Sequence, residues 1–203
     1  MFGKEASELK FFKHKKITFQ DKEMIIARSG WSHQICYEVY VEGFCYGQPM
    51  WDELFKLGKD LNVRAGCPNL IERIESGLLS YGNDINSTHN LYEAGLGKFL
   101  SAGISKECLA YEKLSSISNP KKMIKPIEIK GSPIHPITYN SKVTNNLGDV
   151  IGQISSAAWS PDFKVNVAIG MIDRKYWQKS ENLFVEIMEN DKREIIIKDK
   201  FWS

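Results

Sequence analysis

The sequence contains no run of about 18 apolar residues, so no membrane span is expected. Its N-terminus, MFGKEASELKFF, lacks the apolar stretch of a signal peptide, and a cytoplasmic location is the expectation. No Cys-x-x-Cys pair occurs. The four cysteines, at 36, 45, 67 and 108, are scattered, which suits reduced thiols better than a disulfide framework. The four histidines, at 14, 33, 89 and 135, are equally dispersed. Neither set has metal-ligand spacing, so no metal is expected. There is no excess of one charge: the net charge of +2 comes from interspersed signs, which argues against nucleic acid as the main partner. Phosphate-cradling G-x-x-x-x-G-K-[ST], dinucleotide-type G-x-G-x-x-G, the G-x-S-x-G nucleophile turn and internal repeats are all missing. What remains is a chain of 203 residues, 42% hydrophobic, able to bury a sizeable core in one or two domains.

The chain is organised around residues 64–84, RAGCPNLIERIESGLLSYGND. Gly66 and Pro68 precede a helix, and proline at a first helical position loses no hydrogen bond. Leu70, Ile71, Ile74 and Leu78 recur at helical spacing and predict one apolar stripe, with Asn69 and Arg73 on the polar side and Glu75 on another. Gly77 costs such a helix about 1 kcal/mol relative to alanine, so it signals close backbone packing or an early end. Tyr81-Gly82-Asn83-Asp84 has turn chemistry.

Before this stretch the pattern predicts strands over 11–19, 24–28 and 36–42. The run Lys10-Phe11-Phe12-Lys13-His14-Lys15-Lys16 reads as an edge strand protected by lysines, in preference to a nucleic-acid surface. In the third strand Tyr37, Val39 and Val41 should face the core, which puts Glu38 and Tyr40 together on the other face. By pattern alone that is a half-exposed strand with a solvated carboxylate. A helix is expected over about 49–61, with Trp51, Leu54, Phe55, Gly58 and Leu61 inward. Ile104 to Leu114 also reads as helical. Residues 115–126, SSISNPKKMIKP, shift to serine, proline and lysine, and a domain boundary is placed there, giving domains 1–117 and 118–203. Beyond it short strands at 127–129, 137–139, 150–157, 165–172, 183–188 and 194–198 suggest a small β-barrel or sandwich.

The wording of these segments is more specific than their periodicity. Arg73, Glu75, Gly77, Tyr81 and Gly82 fall where the folate-dependent aminomethyltransferases, the glycine-cleavage T-protein and its relatives, carry A-R-D-x-L-R-L-E-x-G-x-x-L-Y-G. Arg28-Ser29-Gly30-Trp31 followed by Tyr37-Glu38-Val39 resembles the family's substrate-side turn and G-Y-E-I strand. Asn90-Leu91-Tyr92-Glu93-Ala94-Gly95-Leu96 is similar to N-P-x-E-x-G-L, with Leu91 in place of proline. Gly148 to Ser156, then Ser160-Pro161, resembles the motif of the family's C-terminal barrel. Cys67-Pro68-Asn69-Leu70 before Ile71-Glu72-Arg73-Ile74-Glu75 looks most like the dimethylsulfoniopropionate demethylase branch.

The resemblance implies an α+β fold: the C-terminal part of the aminomethyltransferase folate-binding fold, then a small C-terminal β-barrel. It implies an enzyme moving a methyl group from a sulfonium donor to tetrahydrofolate. Other folate enzymes of the aminomethyl, sarcosine or dimethylglycine type, and a non-catalytic folate-binding remnant, stay open. The implied partners are a small-molecule methyl donor and folate, with no nucleic acid and no membrane; a homo-oligomer is left open. Glu38 is the expected pterin-binding residue, since a carboxylate accepts hydrogen bonds from adjacent N–H groups. Tyr40 is expected to line the same pocket. The family arginine that contacts folate falls at Asn69, so that contact does not carry over. The catalytic aspartate belongs to the family's N-terminal half, to which nothing before Glu38 corresponds, and no catalytic residue is assigned.

Overall fold

The computed structural model describes residues 1–32, 34–66, 70–101, 107–178 and 182–202. It contains two compact units, Met1–Asn69 and Leu70–Ser203. Cys67, Pro68 and Asn69, and residues 104–106 of the expected helix, lie outside the described residues.

The first unit is built on a three-stranded antiparallel sheet in the order β1 (His14–Phe19), β2 (Lys22–Ala27), β3 (Glu38–Tyr40). Phe19 pairs with Lys22 across a two-residue loop, in which Gln20 takes a left-handed conformation, φ 55°. Strand alternation sends Ile17, Phe19, Met24 and Ile26 to one face. There they form a core with Leu9 and Met50, and Phe2, Ala6, Val39 and Tyr46 pack around it. Helices α1 (Gly3–Ser7) and α2 (Gly47–Leu57) contribute Ala6 and Met50 to this cluster. β1 is an edge strand, as the lysines suggested, and Lys15 and Lys16 lie beside Glu5 and Glu23 at 3.5 and 2.6 Å.

Two expectations fail in this unit. β3 is three residues long, and Tyr37 and Val41 are exposed rather than in the core. Only Val39, opposite Ile26, reaches the core, because the packed side of the sheet extends no further along this strand. In α2, Trp51 and Leu54 are exposed, as is Leu61 in the 3-10 turn that follows; Phe55 is half-buried. The buried side chain of α2 is Met50, so the helix is anchored through its first turn.

The second unit is dominated by a closed antiparallel barrel in the order β4-β7-β6-β5-β8-β9, with β9 paired back to β4. Its strands are β4 (Lys122–Ile129), β5 (Ser141–Asn145), β6 (Val150–Ser160), β7 (Val165–Asp173), β8 (Leu183–Met188) and β9 (Asp191–Ile197). Closure removes sheet edges. Ile127, Ile129, Val143, Ile151, Ile154, Ala168, Ile172, Val185 and Ile195 share the main core. β7 is buried on both sides. Ala168 and Ile172 face the main core, whereas Val165, Val167, Ile169 and Met171 meet a second cluster around Ile74. The alternation in β7 therefore marks two covered faces, not one.

Ile74 belongs to α3 (Leu70–Glu75) and is fully buried, which contributes about 1.5–3 kcal/mol. Gly77 ends the helix for both anticipated reasons. Its φ is +69°, and a Cβ there would run into the Phe201 ring. Two short helices follow, α4 (Gly97–Ser101) and α5 (Tyr111–Ser116). The strand expected at 137–139 is a single bridge from Ile137 to Ala157, and β5 was not anticipated. Its sequence, SKVTN, offers one large apolar residue. Asn145 nevertheless enters the interior, its side chain bonded to the N–H groups of Leu147 and Asp149 and to the Tyr176 hydroxyl.

Candidate functional site

The sequence directs attention to Glu38 and Tyr40, and both lie on the uncovered face of the first unit's sheet. Glu38 pairs with Ala27 and Tyr40 with Ile25, which in turn pair with His14 and Lys16 on β1. Directly opposed residues share a face, so His14, Ala27 and Glu38 form one row and Lys16, Ile25 and Tyr40 the next. Ile25 is 39% exposed and Tyr40 55%. The surface thus carries a carboxylate and a phenol above an apolar floor, open to solvent.

Glu38 is held in place. Ser29 Oγ donates to its Oε2, and among the described residues this is the only hydrogen-bond partner of the Glu38 carboxylate. Oε1 remains free to accept. Ser29 comes from the turn that links β2 to β3. Gly30 in that turn has Cys36 so close that a Cβ on Gly30 would collide with the Cys36 side chain. Arg28, just before the turn, donates from Nη1 to the Leu9 carbonyl at 3.0 Å. The turn is therefore tied down on both sides of Ser29. Sequence reasoning picked out Arg28-Ser29-Gly30-Trp31 as a motif but missed the Ser29 contact. Glu42 lies beyond the end of β3, with Oε2 at 3.7 Å from Lys22 Nζ.

The other motif residues come together in the second unit for a different purpose. Arg73 does not sit on a polar surface. Its side chain is 3% exposed and pairs with the fully buried carboxylate of Asp84 at 2.8 Å. Arg73 also donates to the Leu78 carbonyl and to Ser156 Oγ, at 3.2 and 2.6 Å. Asp84 accepts further bonds from the Ser80 N–H and from the Ser155 and Ser156 hydroxyls, at 2.8, 2.6 and 2.6 Å. Consecutive strand residues ordinarily point to opposite faces. A register shift between Ile154 and Ser156 allows both serines to reach one carboxylate. Two motifs 71 residues apart thus meet in one buried network, a pairing that neither motif alone discloses.

The Asn90–Leu96 motif is also architectural. Asn90 Oδ1 accepts from the N–H groups of Tyr92 and Glu93, while Glu93 Oε2 accepts from the Asn90 N–H. This is the reciprocal arrangement of a capping box. Among the described residues no group of three or more His, Cys, Asp or Glu side chains could hold a metal ion. No helix of the described residues is long and apolar enough to cross a membrane.

Comparison with known proteins agrees with this layout. Residues 3–103 match the GCVT N-terminal domain, and residues 125–201 match the glycine cleavage T-protein C-terminal barrel domain. The chain belongs to the glycine-cleavage T-protein family. Within it, the chain is 43% identical to dimethylsulfoniopropionate demethylase of Ruegeria pomeroyi over 205 residues, covering 100% of the chain and 55% of that relative. It is 26% identical to the aminomethyltransferase of Caldanaerobacter subterraneus subsp. tengcongensis, covering 98% of the chain and 53% of that relative. The crystal structure of the glycine cleavage system aminomethyltransferase T from Bartonella henselae superposes with a TM-score of 0.77 at 20% identity, over 97% of this chain and 54% of that one. The chain therefore spans about half the length of these relatives and corresponds to their C-terminal part. The α+β class, the partial T-protein domain and the closed barrel are those the resemblance implied. The relatives are enzymes, aminomethyltransferases and a demethylase.

Proposed function

We propose that this chain is the C-terminal part of a tetrahydrofolate-dependent methyltransferase acting on a sulfonium donor, in the manner of a dimethylsulfoniopropionate demethylase. The observation that carries the reading is the sheet face on which Glu38, Tyr40 and Ile25 stand together with one Glu38 oxygen already engaged by Ser29. Identity of 43% to the demethylase, against 26% to an aminomethyltransferase, supports the choice of donor class.

In this reading Glu38 accepts hydrogen bonds from the ring N–H and exocyclic amine of the pterin, and Ser29 fixes the direction of the carboxylate. Tyr40 and Ile25 provide the apolar surface against which the ring lies. Tetrahydrofolate would supply the nucleophilic amine: it attacks the electrophilic methyl carbon of the sulfonium, the carbon–sulfur bond breaks, the sulfur leaves as a neutral thioether and the methylated amine gives its proton to water. The residues of this chain position one reactant and help to exclude water, contributions that accelerate transfer without a covalent step on the protein. The family's catalytic aspartate is assigned to the half of the fold that this chain does not span. The reading keeps a domain boundary between residues 117 and 118, just ahead of the first barrel strand at Lys122.

Glu38→Ala tests it, in a chain carrying both halves of the fold. Loss of a charged acceptor should weaken tetrahydrofolate binding by about 1.5–3 kcal/mol, or about tenfold to more than a hundredfold. Glu42→Ala, beyond the strand end, should bind normally. Calorimetric titration of the three proteins decides the matter, and equal affinities for wild type and Glu38→Ala would remove Glu38 from the site.

A further inference from the structure

Beyond its first turn the apolar side of α2 is uncovered. Met50 enters the core of the first unit at 4% exposure, while Leu54 and Leu57, four and seven residues on, are 44% and 52% exposed. Residues at these spacings lie along one side of a helix. The stripe that is buried in the first turn therefore continues into solvent for two more. Trp51, 48% exposed, lies against Phe55 with tilted rings whose centroids are 4.7 Å apart and widens the stripe, and Leu61 in the following 3-10 turn is 78% exposed. An amphipathic helix normally buries such a stripe along its length.

The exposure is not spread evenly through the protein. Of twenty-four exposed large apolar side chains among the described residues, fifteen fall in Met1–Asn69 and nine in Leu70–Ser203, although the second unit is nearly twice as long. Contiguous apolar surface of this kind marks an interaction site. The barrel, nearly all of which lies within the matched residues 125–201, lacks such a surplus; the unit that carries it lies within the matched N-terminal domain at 3–103, and the chain as a whole spans 55% of the demethylase relative.

We propose that the α2 stripe, centred on Trp51, Leu54 and Leu57, is the docking face for the polypeptide that forms the N-terminal half of the family fold, whether joined to this chain or supplied as a separate one. The inference rests on family membership and on exposure, and not on what Glu38 binds.

Leu54→Cys gives the test. Its thiol is labelled with a maleimide, and mass mapping separates it from the native cysteines. Labelling is followed in this chain alone, in this chain co-expressed with the N-terminal part of the Ruegeria pomeroyi demethylase, and in the two joined as one polypeptide. Labelling should be rapid alone and slower by about tenfold or more in the assembled forms, as for a side chain in an interface centre. Equal rates would overturn the proposal, as would failure of the halves to associate in both formats. Light scattering of the chain alone is the second measurement. A dimer that Leu54→Lys dissolves would give the face to a second copy and also overturn it. No folate enters these assays, so their outcome is independent of the Glu38 titration.

Discussion

Asp84 shows how much can rest on one carboxylate. Ionised and without exposed side-chain surface, it would be costly to bury alone, but it accepts bonds from Arg73, the Ser80 N–H and two serine hydroxyls. Removing one partner of such a buried pair takes the opposite charge away from the other, at about 3–5 kcal/mol. Asp84→Ala should therefore lower stability by about that amount, read as a fall in the urea midpoint. A loss under about 1 kcal/mol would show that the network does not secure α3 and its loop to β6. Glu38 is the opposite case. It is exposed, so its substitution should leave stability within about 0.5 kcal/mol and alter only what it binds.

At the scale of elements, the barrel holds its strands by complementary side chains on both faces, and β4 illustrates the outer one. Glu128 on β4 lies 2.7 Å from Lys130 and 3.5 Å from Lys198. Burial raises its pKa, but the hydrogen bonds and positive charge of the two lysines outweigh this and hold it below the ordinary glutamate value. A depressed carboxylate pKa gives stability that is present above the unfolded-state value and lost as pH falls through the folded-state one. Because both lysines are substantially exposed, the contribution is small, about 0.2–1 kcal/mol. Melting of wild type and Glu128→Gln should differ at about pH 7 and converge at about pH 3. A gap of the same size at both values would show that this cluster adds nothing to barrel stability. α2 makes a different point: a helix with a sound apolar stripe is anchored here by one turn, and the rest of the stripe is exposed.

For the molecule as a whole, the balance of buried and exposed apolar groups differs between the units. Among the described residues, Met1–Asn69 has six buried hydrophobic residues and Leu70–Ser203 has twenty-three. The second unit closes a barrel around its core, whereas the first unit leaves one face of its sheet and the later turns of α2 exposed. The proposed folate surface is one such face. The 203-residue chain by itself should accordingly transfer no methyl group from dimethylsulfoniopropionate to tetrahydrofolate. Turnover above a protein-free control, measured as methyltetrahydrofolate formation by chromatography and with contaminating enzyme excluded, would contradict this account of the half-site.

The sequence by itself determined the family, the α+β class and the barrel, because motif wording and period-two alternation are local properties carried by consecutive residues. It also put Glu38 and Tyr40 on one face of one strand, since alternation alone requires it. Tertiary structure decided which faces are covered. Periodicity identifies an apolar side of a strand or helix without saying what lies against it. Tyr37, Val41, Trp51 and Leu54 were therefore expected inside and are exposed, while Arg73 was expected outside and is buried. Tertiary structure also decided the partnerships of Arg73 and Asp84 with Ser155 and Ser156, which depend on a bulge in β6 bringing side chains from distant segments to 2.6 Å. Burial and long-range hydrogen bonding are pairwise properties of the folded chain, and no single stretch of sequence contains both members of the pair.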